Sequence, residues 1–362
     1  MIRKVTRREV LAAGAATAGF LTAQGSADAQ ETVKPPYSDG LGWQGTGWSR
    51  GPDRNGKRGL APGQTPVRLA CSSFETRLWY PEGKRSITEA VKSIRDQGYT
   101  AAGVAHGPYK HNKWLDATDS ELRELKAALK DYDVEFFDHM TYDNIVHPDR
   151  AIREKGIRHV TENLEAAERT GGVSVCAGLG TCDSDPDCGL AMHPDNWTAE
   201  TWKLGVEGIK RILRDTAGYK AVLGMEAVVT TPLDGPEALR RLIDDVGDPR
   251  CQVALDPANM FTVANYYHST EMINWCFDLL GEDIACCHAK DTFIERDQML
   301  VIMSMKPAGQ GVQDYVTYLT RISRFNWPRT LLLEFAQPHE YPAAKAYVEE
   351  NAAKAGVKIY GS

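Results

Sequence analysis

Beyond residue 30 the sequence lacks any apolar run long enough to cross a bilayer, so it offers no candidate for a membrane-spanning helix. Basic charge is scarce too: 42 Lys and Arg stand against 49 Asp and Glu in 362 residues, a net of −7. A surface of that sign repels polyphosphate and disfavours a nucleic-acid partner. No cluster of Arg and Lys accompanies the candidate site described below, which argues against a phosphorylated substrate as well. What remains is a chain of ordinary globular composition, 42% hydrophobic, with room for one large domain.

The first 29 residues differ in kind from the rest. Arg7 and Arg8 precede an apolar run of small residues, and Ala27-Asp28-Ala29 closes it in the manner of a cleavage site. This pattern resembles a twin-arginine export signal, and it implies a periplasmic protein with no stable membrane insertion once the signal is removed. The run is too short and too rich in Ala and Gly for a convincing span, although an uncleaved anchor stays open. Removing residues 1–29 takes away Arg3, Lys4, Arg7 and Arg8 together with Glu9 and Asp28, leaving 38 basic against 47 acidic residues, a net of −9. Residues 30–66 carry Gly, Pro and charge without periodicity and read as an irregular N-terminal arm; Trp43 and Trp48 within it either belong to a linker or pack on the domain that follows.

Eight cysteines in an exported chain raise the question of disulfides. Cys182 and Cys188, in TCDSDPDC, are spaced to close a small ring, and both the bonded and the free state are open. Cys286 and Cys287 are neighbours in an apolar strand and should point to opposite faces. Cys71, Cys176, Cys251 and Cys276 read as small core groups.

From Val67 onward, strand-like and helix-like segments alternate. VRLACSSFE is followed by a capping box, Ser86 to Glu89, opening a helix with Ile87, Ala90, Val91 and Ile94 on one face. YTAAGVAHG precedes a second capping box at Thr118 and Glu121; VEFFDHM and VSVCAGLG flank a long amphipathic helix over about 151–169. Trp202 to Leu213 has helical spacing as well. Four more pairs follow, with strands VLGMEAV, QVALDPAN, IACCHAKD and LLLEFAQ. Eight such pairs predict a parallel (β/α)8 TIM barrel over residues 67–362. Three loops on its predicted mouth are long, 181–201, 292–311 and the QPHEYP segment with His339 and Tyr341, and are placed to cover a ligand.

Each of the last four strands carries an ionisable residue at its C-terminal end: Glu226, Asp256, His288 and Glu334. A closed barrel brings those ends to one mouth. A lone acid in an apolar strand is costly to bury without a partner, so the two glutamates call for one. Three carboxylates and an imidazole suit a divalent ion, Mn2+ or Mg2+ above all with Co2+ or Zn2+ admissible, better than a thiolate-preferring structural zinc. By alternation from His288, Lys290 shares its face and is either a substrate contact or a solvated surface lysine. His106 and His139, ending strands two and three, either meet substrate hydroxyls or pack. His111, His147, His159 and His268 read as surface residues.

These motifs, in this order, resemble the xylose isomerase-like barrel superfamily and within it the sugar phosphate isomerase/epimerase group. The resemblance covers residues 67 to about 356 and rests on Glu226 after strand five, DPxN at Asp256–Asn259, HxKD at His288–Asp291, the turn PAGQG at 307–311, and Glu334 after strand eight. It implies one divalent metal, often manganese, on Glu226, Asp256, His288 and Glu334, with the two glutamates flanking substrate as catalytic groups. Two departures stand out: Asn259 replaces the His that ketose epimerases carry three residues after the metal-binding Asp, and Ile294 replaces a frequent Arg, with Arg296 nearby. Lys290, Asn259 and Arg296 join His106 and His139 as candidate substrate contacts. The implied activity is isomerisation or epimerisation of an unphosphorylated carbohydrate through an enediolate, the rivals being a lyase or hydratase on 3-keto glycosides, an endonuclease on the same fold, and a non-catalytic sugar-binding barrel. The oligomeric state stays open, a homo-oligomer included.

Overall fold

The computed structural model describes residues 65–72, 86–106, 110–185, 188–325 and 329–361. The export-type segment 1–29 and the arm as far as residue 64, with Trp43 and Trp48, lie outside the described residues.

Eight parallel strands close into a barrel. In chain order β1 (Arg68–Ser72), β2 (Ala101–His106), β3 (Glu135–Thr141), β4 (Ser174–Ala177), β5 (Val222–Met225), β6 (Cys251–Leu255) and β7 (Ile284–Ile294) each pair with the next. The ninth strand, β9 (Thr330–Leu333), then lies between β7 and β1 and completes the ring. The exception is β8 (Met303–Pro307), which pairs antiparallel with the far end of β7, from Lys290↔Pro307 to Ile294↔Met303. The segment 292–311, expected as a long loop, is therefore built around a hairpin rooted in the barrel mouth. Its outer residues are apolar and exposed, Met299 at 101% and Leu300 at 78%.

Helices α1 (Ile87–Asp96), α2 (Asp119–Asp131), α3 (Arg150–Thr170), α4 (Ala199–Asp215), α5 (Pro236–Val246), α6 (Ser269–Leu280), α7 (Tyr315–Ile322) and α8 (Tyr341–Ala355) follow the barrel strands. Both predicted capping boxes are present: Glu89 N donates to Ser86 Oγ at 3.2 Å and Ser86 N to Glu89 Oε2 at 2.8 Å, with the equivalent pair at Thr118 and Glu121. Each satisfies amide donors that a helix start otherwise leaves without partners.

The hydrophobic core has two layers. Ala70, Ala101, Phe137, Met140, Cys176, Ala254, Cys286 and Leu332 fill the barrel interior, and a larger shell between strands and helices includes Ile284, Cys287 and Leu331. The adjacent Cys286 and Cys287 thus fall in different layers, as strand alternation requires. Cys182 and Cys188 are not joined in a disulfide: Cys182 is buried, its Sγ 3.3 Å from Thr201 Oγ1, while the exposed Cys188 lies 3.3 Å from Asp185 Oδ2.

Two interruptions of the strand register position side chains for the site. Along β3 the partners run Ala102↔Phe136 and then Gly103↔Asp138, so Phe137 is an extra residue. Along β7 they run Val253↔Ile284 and then Ala254↔Cys286, so Ala285 is extra. A bulge of this kind exchanges inward for outward directions in everything that follows it.

Candidate active site

Glu226, Asp256 and Glu334 are the residues immediately following β5, β6 and β9, and His288 lies within β7. Their side chains meet at the C-terminal mouth, buried to 2%, 1%, 3% and 0% exposure respectively. One ligand-type atom from each lies within 4.8 Å of the others. His288 Nδ1 is 2.9 Å from Glu226 Oε1 and 3.5 Å from Glu334 Oε1. Lys290, two residues on and on the same face, places its Nζ 2.7 Å from Asp256 Oδ2 and 2.8 Å from Glu334 Oε1.

The backbone holds this arrangement tightly. Asp256 caps a 3-10 turn over Pro257–Met260, its Oδ1 accepting from Ala258 N at 3.0 Å. Two tyrosines of α7 reach between strands: Tyr318 Oη donates to Leu255 O at 2.8 Å and Tyr315 Oη to Lys290 O at 2.9 Å. Asp291 points away from the mouth and accepts the amides of Thr292, Gly309 and Gln313 at 2.9 to 3.1 Å. That is the physical content of the PAGQG turn: a loop wrapped around a buried carboxylate. A Cβ on Gly311 would fall 2.3 Å from Thr292 O and 2.4 Å from Asp291 Oδ1. Gly311→Ala is therefore expected to cost about 1–3 kcal/mol, read as a lower denaturant midpoint at unchanged slope; an unaltered midpoint would show that the turn yields freely.

Electrostatics inside the quartet are dominated by burial and by the Lys290 ammonium. Burial pushes Asp256 up to about 7 against the pull of Lys290. Glu334 is also penalised by burial, but Lys290 and His288 together hold its carboxyl well below the usual range. Burial opposes the charge on Lys290, yet Asp256 and Glu334 outweigh it and raise its pKa. His288 follows the same logic, raised by Glu334, Asp138 and Glu226 despite its desolvation. Three acids thus share two basic side chains in a site that water scarcely reaches.

This donor set fits a divalent cation. Three hard carboxylates and one imidazole nitrogen converge from four strands, a number and type of ligand that suits Mn2+ or Mg2+. Buried carboxylates in excess of their basic partners are costly unless they coordinate a metal.

The remaining candidates divide. Asn259 is 4% exposed, and its Oδ1 is buried without a hydrogen-bond partner among the described residues, leaving an acceptor beside the quartet's Asp256 turn. Arg296 is exposed on the hairpin, its guanidinium 5.9 Å from the Phe293 ring and directed to that ring. His106 ends β2, and its side chain lies outside the described residues. His139 does not face the mouth: it is wholly buried in the outer layer, with Nδ1 3.1 Å from Asn112 Nδ2 and Nε2 3.2 Å from Thr170 Oγ1. The bulge at Phe137 turns it outward. His147 and His159 are buried too, not on the surface, and His159 Nδ1 pairs with Asp143 Oδ2 at 2.6 Å. Tyr341, expected in a covering loop, is buried at the start of α8 and donates to Leu333 O at 3.2 Å.

Three site neighbours escaped the sequence reading. Tyr142 Oη donates to Glu226 Oε2 at 3.0 Å. Phe335, directly after Glu334, has φ +56° and is 47% exposed, with its ring centroid 4.4 Å from Lys290 Nζ. A bulky aromatic in the left-handed region is unusual and such strain concentrates at functional sites. Asp138, inward at the bulge, reaches within 3.5 Å of His288 Nε2. An acid one position before a strand-end His was the available signal, and the register shift at Phe137 is what turns it inward.

Residues 91–355 match the family described as xylose isomerase-like TIM barrel. No curated relative matches the sequence. Among solved structures, the chain is similar to 3-keto-D-glucoside 4-epimerase from E. coli, at 14% identity and TM-score 0.55, covering 78% of this chain and 99% of that one. It is similar to an L-ribulose 3-epimerase at 14% identity and TM-score 0.58, covering 80% and 95%. A xylose isomerase-like protein from Mycobacterium smegmatis, solved in complex with magnesium, gives 14% identity and TM-score 0.57 over 80% and 98%.

Proposed function

Because the chain belongs to the xylose isomerase-like TIM barrel family, we propose that it is a divalent-metal-dependent isomerase or epimerase of an unphosphorylated sugar or sugar derivative. The observation that carries this reading is the buried convergence of Glu226, Asp256, His288 and Glu334 at the barrel mouth. These four residues would hold the ion, with Mn2+ first and Mg2+ next by ligand type. When bound, such an ion supplies a Lewis acid that acidifies the C–H bond beside a sugar carbonyl.

The chain's own groups then supply the proton chemistry. Glu334, kept ionised by Lys290 and His288, removes the proton next to the carbonyl. Glu226, on another strand and hydrogen-bonded by Tyr142, returns one at the opposite face. Proton return to either carbon gives an epimer or an isomer. The Lys290 ammonium lies beside Glu334 and offers a donor to the developing oxyanion. Asn259 can exchange hydrogen bonds with a substrate hydroxyl but no proton, which sets this site apart from ketose epimerases with a His there.

One observation favours a second outcome of the same proton abstraction. The structural similarity extends to a probable 3-DHS dehydratase from Bacillus anthracis, at 15% identity and TM-score 0.58 over 78% of this chain and 98% of that one. A lyase on oxidised, 3-keto glycosides would use the same base and differ only in losing a group. The reading also places the mature protein in the periplasm, supported by Arg7, Arg8 and the apolar run after them.

The test is metal analysis of the purified protein followed by incubation with free and 3-keto sugars in deuterated water. About one equivalent of a divalent ion and deuterium at a carbon next to a carbonyl are expected. A product of unchanged carbon skeleton and parent mass, isotope aside, identifies isomerase or epimerase chemistry; loss of a group identifies the lyase. Protein with neither metal nor exchange would refute both.

A further inference from the structure

The two nitrogens of His288 look in opposite directions. Nδ1 faces the quartet, 2.9 Å from Glu226 Oε1, and Nε2 faces into the barrel, 3.5 Å from Asp138 Oδ2. Both side chains are wholly buried. Asp138 Oδ1 accepts a hydrogen bond from Ser174 Oγ at 2.7 Å, whereas Oδ2 has no hydrogen bond among the described residues. A buried carboxylate oxygen without a donor is costly, and the His288 ring edge is positioned to supply one.

Neither residue would be there under unbroken alternation. The extra residue Phe137 in β3 turns Asp138 inward, and the extra residue Ala285 in β7 turns Cys286, His288 and Lys290 inward. Two separate bulges, on strands that are not neighbours in the barrel, are needed to aim these side chains at each other. Bulges that re-aim a side chain next to an active site are a known use of that irregularity.

We propose that Asp138 is a positioning residue for His288: it keeps the imidazole proton on Nε2, so that the Nδ1 lone pair is presented to a divalent ion held with Glu226, Asp256 and Glu334. This rests on the metal-site reading given above. A partner on the far nitrogen fixes both the tautomer and the ring orientation of a ligating histidine.

Asp138→Asn separates this role from simple packing. Ser174 Oγ keeps the asparagine carbonyl oxygen on its own side, which turns the amide N–H toward His288 Nε2. A donor there requires the Nε2 lone pair, moves the imidazole proton to Nδ1 and blocks the ligand position. Metal-free parent, Asp138→Asn and Ser174→Ala proteins are titrated with Mn2+ by calorimetry, alongside thermal melts. We expect Asp138→Asn to melt near the parent yet bind Mn2+ about 10–100-fold more weakly, and Ser174→Ala, which keeps the carboxylate, to bind close to parent affinity.

Unchanged affinity in a folded Asp138→Asn protein would overturn the assignment. Should that variant fail to fold, the parent decides: 15N-histidine spectra of the Mg2+-loaded protein are expected to show His288 protonated at Nε2, and protonation at Nδ1 would overturn it. A parent that binds no divalent ion removes the underlying site reading, and this inference with it.

Discussion

Asp256→Ala and His288→Ala proteins are each expected to fold and to emerge from purification without stoichiometric metal. Partners outside the ligand sphere already contribute about 10–100-fold to metal affinity, so loss of a direct ligand should weaken it by about 100-fold or more. The fold should survive because the quartet lies at the mouth, above an interior filled by Ala70, Phe137, Cys176, Cys286 and Leu332. In the metal-free state Asp256→Ala also removes one of three buried acids, while Lys290 keeps Glu334 at 2.8 Å. Elemental analysis and a thermal melt on the same preparations check both halves. One equivalent of tightly held metal in either variant would remove that residue from the ligand set.

Glu334→Gln should lower kcat by about 10²–10⁴-fold, the range associated with a positioned acid or base, with deuterium exchange into substrate falling in parallel. The amide retains an oxygen near the position of the present ligand atom but cannot accept the substrate proton at neutral pH. Measured at saturating Mn2+, the loss in kcat isolates the proton transfer from any weakening of the metal. Glu226→Gln should behave similarly if the second glutamate returns the proton. A kcat within tenfold of the parent for Glu334→Gln would exclude it as the base and move that role to another group at the mouth.

Much of this molecule could be read from its residues. The capping boxes at Ser86 and Thr118 start helices where predicted, because N-cap hydrogen bonds form within a few residues of chain. The strands ending at Glu226, Asp256 and Glu334 are apolar because both sides of a barrel strand are buried, and a single acid at each end is conspicuous against that background. Cys286 and Cys287 segregate to the two layers for the same reason.

The errors share a cause of longer range. His139, a candidate substrate contact as the end of strand three, packs instead, because β3 carries one residue more than β2 at Phe137. The segment 292–311 reads as a loop in sequence because the second strand of its hairpin is short and lies outside the barrel alternation. Spacing alone left Cys182 and Cys188 undecided; Thr201 and Asp185 instead provide their contacts.

Alternation of strands and helices, the cap positions and the chemical identity of the four candidate ligands are local properties, set by side-chain periodicity and backbone hydrogen bonding over a few residues. They were therefore readable in one dimension. Which face each residue of β3 and β7 presents, that Lys290 enters the quartet, and that Asp138 stands behind His288 depend on strand registers summed around a closed ring. A one-residue bulge changes those registers without leaving a mark in the hydrophobic pattern, so the contacts became visible only when the barrel was closed.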